Sequence, residues 1–576
     1  MNKISPRILL RAALIPVLAA CGIATASAGT AEEPVVTNPI NLNYRFQPGP
    51  EDVRREAADP VAEWFKDAYF MFASKSGGYW YSEDMKDWTY LPTTTIGAIE
   101  DYAPAILVMD DALYYISSGR PKIYRNTTPK EDTWTEVECK FPYGANDIAA
   151  YLDDDGRLYF YWGCSDRDPI MGVEVDPKDG FAPIGEPRVL ITHRGDEFGW
   201  EVPGVNNEEK RTGWNEGPAM LKVDGKYLLQ YAAPGTQYRV YGDGIYVGDS
   251  PLGPFTYMEN NPFSFKPGGF IGGAGHGHTF RDKFGNLWHV ASMTLSQRHW
   301  FERRLGLFPV AVNDAGELYA LTEWSDAPFV IPQRKVDFST YDPSVGWRLL
   351  SHGAEATASS ALDGHAPALG ADERVETWWA AQSGEPGEWL GIDLGRKMKI
   401  RAVQPNFADH GFDVRPPHAP VAYKYHVEVS TDGKKWKRVA ERDADAPHEL
   451  IVLDKPVDAR HVRIVNDRTL DGSFSLFDLR VFGEAEGKAP ASVTGFKAVR
   501  EEGDRRAFSF GWNPSVGADG YILRWGTAPD RLIHSAVIYA DGYEARYFNR
   551  DSKYYFTLTP FNECGEGPTT ETISTN

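Results

Sequence analysis

The chain has few cysteines, a shortage of positive charge and, beyond its first residues, no long apolar run. Its four cysteines, Cys21, Cys139, Cys164 and Cys564, include no C-x-x-C pair. That excludes a disulfide framework or a zinc cluster as the organising principle. Cys139 and Cys164 are open to two readings, a pair in an oxidising compartment or two unpaired buried thiols. Lys and Arg total 60 against 81 Asp and Glu, a net charge of −21. Nucleic acid and anionic membrane surfaces are poor partners for such a chain, because a phosphate backbone needs a clustered basic face. The one apolar run, residues 12–20, follows Lys3, Arg7 and Arg11 and reads as a bacterial secretory signal. It is too short to span a bilayer as a stable helix. Leu18-Ala19-Ala20-Cys21 resembles a lipidation site, and Ala26-Ser27-Ala28 before Gly29 is an equally good site for ordinary signal cleavage. The expected product is an exported protein, periplasmic, secreted or tethered at the outer membrane by an N-terminal lipid.

Aromatic residues, by contrast, are plentiful: 13% of the chain, with 17 Trp and 29 Tyr. They suit the flat faces of sugar rings, and they suit sheet packing equally well. Many sit in a recurring unit, a turn dipeptide followed by aromatic and β-branched residues at period two. It is found after Lys66-Asp67, Asp110-Asp111, Asp155-Gly156, Asp224-Gly225 and Phe284-Gly285. This is the pattern of a hairpin with one buried face. Spacings of about 45 to 65 residues fit one four-stranded blade per copy, so the repeat predicts an all-β chain beginning with a five-bladed β-propeller. Residues 38–42 are the expected ring-closing strand. Asp153-Asp154-Asp155-Gly156 lacks the spacing of a calcium loop and reads as a hairpin turn.

Several segments carry possible chemistry. Asp59-Pro60 precedes the first hairpin. Glu100-Asp101-Tyr102-Ala103-Pro104 and Asn146-Asp147-Ile148-Ala149 precede the second and third, and Gly213-Trp214-Asn215-Glu216-Gly217-Pro218 the fourth. Gly275-His276-Gly277-His278 and Glu302-Arg303-Arg304 fall in the fifth. Taken singly, an Asp beside Pro is usually a turn former. In this order across five blades, the segments resemble glycoside hydrolase family 43. Tyr102 stands where that family commonly has Trp, and Ile148 where it has Pro.

The resemblance implies an inverting exo-glycosidase. Asp59 would be the general base, Glu216 the general acid, and Asp147 the carboxylate that orients the acid and raises its pKa. The acid and base would stand about 6.5–9.5 Å apart to leave room for a water. Repulsion and burial would keep Glu216 protonated while Asp59 stays ionised. Arg303 would bind near the substrate, with Arg304 turned away. Tyr102, Trp214 and Trp80 are candidates for the sugar platform. His276, with His278 in reserve, would hold a calcium or sodium ion at the axis, and no cofactor is otherwise required. The substrate class is an α-L-arabinofuranoside, a β-xyloside or a β-galactoside or galactofuranoside. The rival reading is a non-catalytic glycan-binding surface protein with a degenerate propeller.

Composition shifts after about residue 345. Thr377-Trp378-Trp379, Glu388-Trp389-Leu390-Gly391 and Val429-Ser430-Thr431-Asp432-Gly433 resemble a discoidin (F5/8 type C) β-sandwich, which implies glycan binding. The stretch 406–420 reads as a loop. From about 490, Phe508-Ser509-Phe510-Gly511-Trp512 and Tyr521-Ile522-Leu523-Arg524-Trp525 resemble a fibronectin type III sandwich, which implies a spacer or a protein contact. The expected domains are a signal peptide (1–28), propeller (29–345), discoidin module (346–486) and fibronectin module (487–576).

Overall fold

The computed structural model describes residues 33–47, 53–414 and 421–575. The export signal, with Cys21 and the alternative cleavage site, lies outside the described residues. No helix among the described residues is long and apolar enough to cross a membrane.

Each predicted hairpin forms. Asp224 and Gly225 both have positive φ, as the tight two-residue turn between strands 216–223 and 226–233 requires. The hairpins extend into five separate antiparallel four-stranded sheets, the fourth with an additional two-residue strand. Their innermost strands are β1 (Val61–Phe65), β2 (Ala105–Met109), β3 (Ala149–Leu152), β4 (Glu216–Val223) and β5 (Gly272–Arg281). They neighbour one another in cyclic order, β5 lying beside β1. Blade 5 also contains β6 (Arg303–Val312).

A device repeated at each blade entry aims the site. Asp59, Ala103, Asp147, Gly217 and His276 all have left-handed backbones, with φ between 41° and 57°. Proline follows three of them and disfavours the ordinary right-handed alternative. For a non-glycine residue this conformation costs about 1–3 kcal/mol, so the surroundings must hold it. The preceding blade does so. Ser74 Oγ accepts the Ala103 N–H, Ser118 Oγ the Asp147 N–H and Ser292 Oγ the Asp59 N–H, each at 2.8 Å. Asp243 Oδ1 accepts the His276 N–H at 2.7 Å. The fifth blade is thus stitched to the first by the same bond that joins the others.

The closing strand expected at 38–42 is absent. Pro39 has no N–H to continue a ladder. The Asn38 side-chain amide instead bonds both the N–H and the carbonyl of Leu307 at 2.9 Å, and the Ile40 N–H reaches Leu305 O at 2.8 Å. No strand is shared between blades 5 and 1.

The second domain is an eight-stranded arrangement in which two long strands, Trp389–Phe407 and Ile451–Arg468, bend at register shifts to serve both faces. Because the first of these runs to Phe407, the loop expected from 406 begins later, and 415–420 lie outside the described residues. The domain docks on the propeller through buried charge. Arg480 holds Glu373 at 2.6 Å and bonds the carbonyl of Asp326, whose carboxylate takes Lys266 at 3.0 Å. Removing one partner of such a pair leaves the other uncompensated, at a cost of about 3–5 kcal/mol.

The C-terminal domain is a sandwich of a three-stranded and a five-stranded sheet. Its Phe508, Trp525 and Phe548 share one apolar core with Tyr159, Trp200 and Phe265 of the propeller. The spacer expectation is corrected accordingly, since a spacer would not bury aromatic residues against its neighbour. Cys139, Cys164 and Cys564 are all free.

Candidate active site

The five blade entries converge on a cavity of about 660 Å³, lined by Asp59, Asp147, Glu216, His276, Arg303 and Tyr102 among others. Asp59 and Asp147 arrive on their left-handed turns. Glu216 opens β4 one residue before Gly217, where a Cβ would stand 2.5 Å from the His276 ring. Glycine there serves both the backbone and the close approach of His276.

Asp59 is surrounded by donors. Arg303 Nη1 reaches its two oxygens at 3.1 and 3.4 Å, Ser74 Oγ donates at 2.5 Å, and His276 Nδ1 lies at 3.3 Å. Burial acts to raise its pKa, but Arg303, His276 and the two serines outweigh it and hold the carboxyl below its usual range. Glu56 is on the other side of Arg303, taking Nη2 at 2.6 Å.

Asp147 has the opposite environment. Its Oδ2 accepts the Gly217 N–H at 3.3 Å and lies 3.7 Å from His276 Nδ1. Burial, then the charges of Glu216 and Asp59, push its carboxyl up to about 7 against the pull of His276. Glu216 Oε1 accepts from Tyr241 Oη at 2.5 Å, and its Oε2 accepts from Cys164 Sγ at 3.3 Å. Cys164 stands where Ser74, Ser118 and Ser292 stand in other blades. The Gly217 N–H turns to Asp147, and the thiol reaches both Glu216 and Asp147. Neither Tyr241 nor Cys164 was singled out for the site by sequence, and only the serine repeat, visible once the blades are superposed, signals the position of Cys164.

Of the predicted platform, Tyr102 and Trp214 line the cavity. Trp80 does not. It is fully buried in the blade core, its Nε1 donating to Asn43 at 2.9 Å, because its strand packs that face against the N-terminal segment. Trp300 and Phe301, stacked on each other, complete the rim instead, and Trp300 is 60% exposed. The run His299-Trp300-Phe301 before Arg303 was their sequence signal.

The two histidines expected to hold an ion at the axis face different groups. His276 Nδ1 faces Asp59 and Asp147; burial lowers its pKa, but the surrounding carboxylates more than reverse this and raise it. His278 lies deeper along the axis, its Nδ1 on the Ala62 carbonyl at 3.0 Å and its Nε2 3.9 Å from Glu63. Asp153 is structural, holding Lys222 and Tyr227 at 2.8 and 2.6 Å.

The family model for glycosyl hydrolases family 43 matches residues 53–316, and the F5/8 type C domain model matches residues 355–477. A beta-D-galactofuranosidase of Aspergillus niger is 25% identical over 243 residues, covering 34% of this chain and 63% of that protein. The chain therefore spans less than two thirds of that relative's length. Among solved structures, an endo-1,4-beta-xylanase from Bacteroides thetaiotaomicron is 22% identical with a TM-score of 0.40, covering 50% of this chain and 96% of that one. A xylan beta-1,4-xylosidase from Bacillus halodurans is 13% identical with a TM-score of 0.40, covering 75% and 100%.

Proposed function

With residues 53–316 belonging to glycosyl hydrolases family 43 and residues 355–477 forming an F5/8 type C domain, we propose that the chain is an exported, inverting exo-glycosidase acting on a terminal furanose or β-linked sugar. The observation that carries this reading is the split between two kinds of carboxyl in one cavity. Asp59 is held ionised by Arg303 and His276, while Asp147, beside Glu216, is raised to about 7. Such a split supplies a base and a source of protons at the same pH.

In this mechanism Asp59 takes a proton from water as the water oxygen attacks the anomeric carbon. Glu216 gives a proton to the departing glycosidic oxygen, so the bond breaks with inversion and both products leave neutral. Asp147 supplies the proton reserve of the pair and orients Glu216. Tyr241 and Cys164 steady the Glu216 carboxylate left after transfer. Tyr102, Trp214 and Trp300 offer stacking faces at the rim. No step is routed through a metal. The F5/8 type C domain adds a glycan contact, and the C-terminal sandwich, fibronectin type III-like, braces blades 3 and 4. The name of the Aspergillus niger relative favours testing galactofuranosides first among the substrates.

The test is hydrolysis of arabinofuranoside, xyloside, galactoside and galactofuranoside substrates, with the first-formed anomer followed by NMR. Release of one sugar with inversion is expected. Intact substrates alongside retained glycan binding would favour a binding protein with an inactive propeller. The pH profile of kcat/KM follows from the two shifts. Activity falls as pH drops through the depressed pKa of Asp59, because the base is protonated, and falls again as pH rises past about 7, because Asp147 loses its proton. Cys164→Ser, which keeps a donor, is expected to retain activity. Cys164→Ala is expected to lower kcat/KM about three- to tenfold, the worth of a weak hydrogen bond to a carboxylate.

A further inference from the structure

Two adjacent pairs of residues carry the charges behind Asp59, and each pair faces two ways. Glu56 and Arg303 point inward, Arg303 bridging Glu56 at 2.6 Å and Asp59 at 3.1 Å. Neighbouring strand residues point to opposite faces, so Arg55 and Arg304 point outward, into the F5/8 type C domain.

Arg55 is completely buried there. Its Nε reaches Asp409 at 3.1 Å, its Nη1 reaches Asp445 at 2.5 Å, and its Nη2 donates to the Val421 carbonyl at 3.3 Å. Arg304 Nε donates to His448 Nε2 at 2.9 Å, and its Nη1 donates to the Arg55 and Arg303 carbonyls at 2.8 and 3.0 Å. His448 is fixed as an acceptor because its Nδ1 lies 2.9 Å from Asn406 Oδ1. The second domain thus grips the reverse side of the two strand segments that present Glu56 and Arg303.

We propose that the F5/8 type C domain is a positioning element of the active site: through Asp409, Asp445 and His448 it fixes Arg55 and Arg304, and so holds Glu56 and Arg303 against Asp59. The inference rests on the reading of Asp59 as the base. The groups facing Asp59 are Arg303 from β6, His276 from β5, the hydroxyls of Ser74 and Ser292, and Tyr241, with Asp147 across His276 and Glu56 behind Arg303. Of these, the Arg303–Glu56 pair is the part the second domain holds. Loosening it weakens the opposing charge on Asp59, so the acid limb of kcat/KM moves to higher pH.

The test uses the full chain carrying Asp409→Asn with Asp445→Asn, and Asp445→Asn alone in case the double variant does not fold. The comparison variant is Glu373→Gln, which weakens the Arg480 cluster; that cluster reaches His448 only through the Gln404 side chain and touches none of Glu56, Arg303 or Asp59. The double variant is expected to raise the acid limb by about one pH unit, a tenfold loss of kcat/KM below the limb, with kcat affected more than KM. Glu373→Gln is expected to lower Tm with the limb unmoved. Hydrogen exchange of peptides covering 53–60 and 300–305, read by mass spectrometry, gives the same comparison without substrate: faster exchange in the Asp variants and not in Glu373→Gln. Equal shifts in all variants, or none in the Asp variants, would overturn the positioning role. A wild type that hydrolyses nothing would sink the functional reading instead, and the exchange data would still decide the coupling.

Discussion

Replacing Asp59 by Asn is expected to lower kcat by about 10²–10⁴-fold, the usual worth of a general base, with KM nearly unchanged. Asn matches the size of Asp, and its single amide oxygen still accepts from Ser74 while the NH2 takes the place of the oxygen nearer Arg303. What disappears is the negative charge that takes the proton from water. Arg303 and His276 both lose a counter-charge they hold at 3.1 and 3.3 Å. Because Asp59 is the largest of the charges raising the pKa of His276, that pKa falls in the variant. Single-turnover kinetics on an aryl glycoside, with circular dichroism to establish folding, would measure the loss. A folded variant with wild-type kcat would move the base to another residue.

Glu216→Gln separates protonation from attack. On natural glycosides, whose leaving alcohol must be protonated, the loss is expected to reach about 10²–10⁴-fold. On aryl glycosides with strongly acidic phenols the loss shrinks towards a few-fold, because the departing oxygen needs little help. Gln keeps the size of Glu and one oxygen to accept from Tyr241, with its NH2 turned to Cys164 in place of the second oxygen. A plot of log kcat against leaving-group pKa should steepen in the variant relative to wild type. Parallel lines would remove Glu216 from the role of acid and leave it a binding group.

Much of this was legible without coordinates. Period-two hairpins and their turn dipeptides announced five blades, since turn chemistry and strand alternation are set by residues a few positions apart. Asp59, Asp147, Glu216, His276 and Arg303 were found by their order along the chain, and the structure brings all five to one cavity. Trp80 failed because an aromatic on a strand has two faces to choose from, and sequence does not say which neighbour covers it. Trp300 was passed over for the same reason. The 38–42 strand failed at Pro39, whose missing N–H is itself visible in the sequence.

The sequence by itself determined the blades and the modular order, because each depends on local pattern, and its resemblance to glycoside hydrolase family 43 pointed to the carboxyls. The tertiary structure alone decided that Asp147 is raised, why Asp59 stays ionised, and how the second domain meets the site. Those are properties of burial and of charges brought together from distant segments: Arg303 is 244 residues from Asp59, and Arg55 is 354 from Asp409. A pKa belongs to the field around a group, and only the packed fold assembles that field.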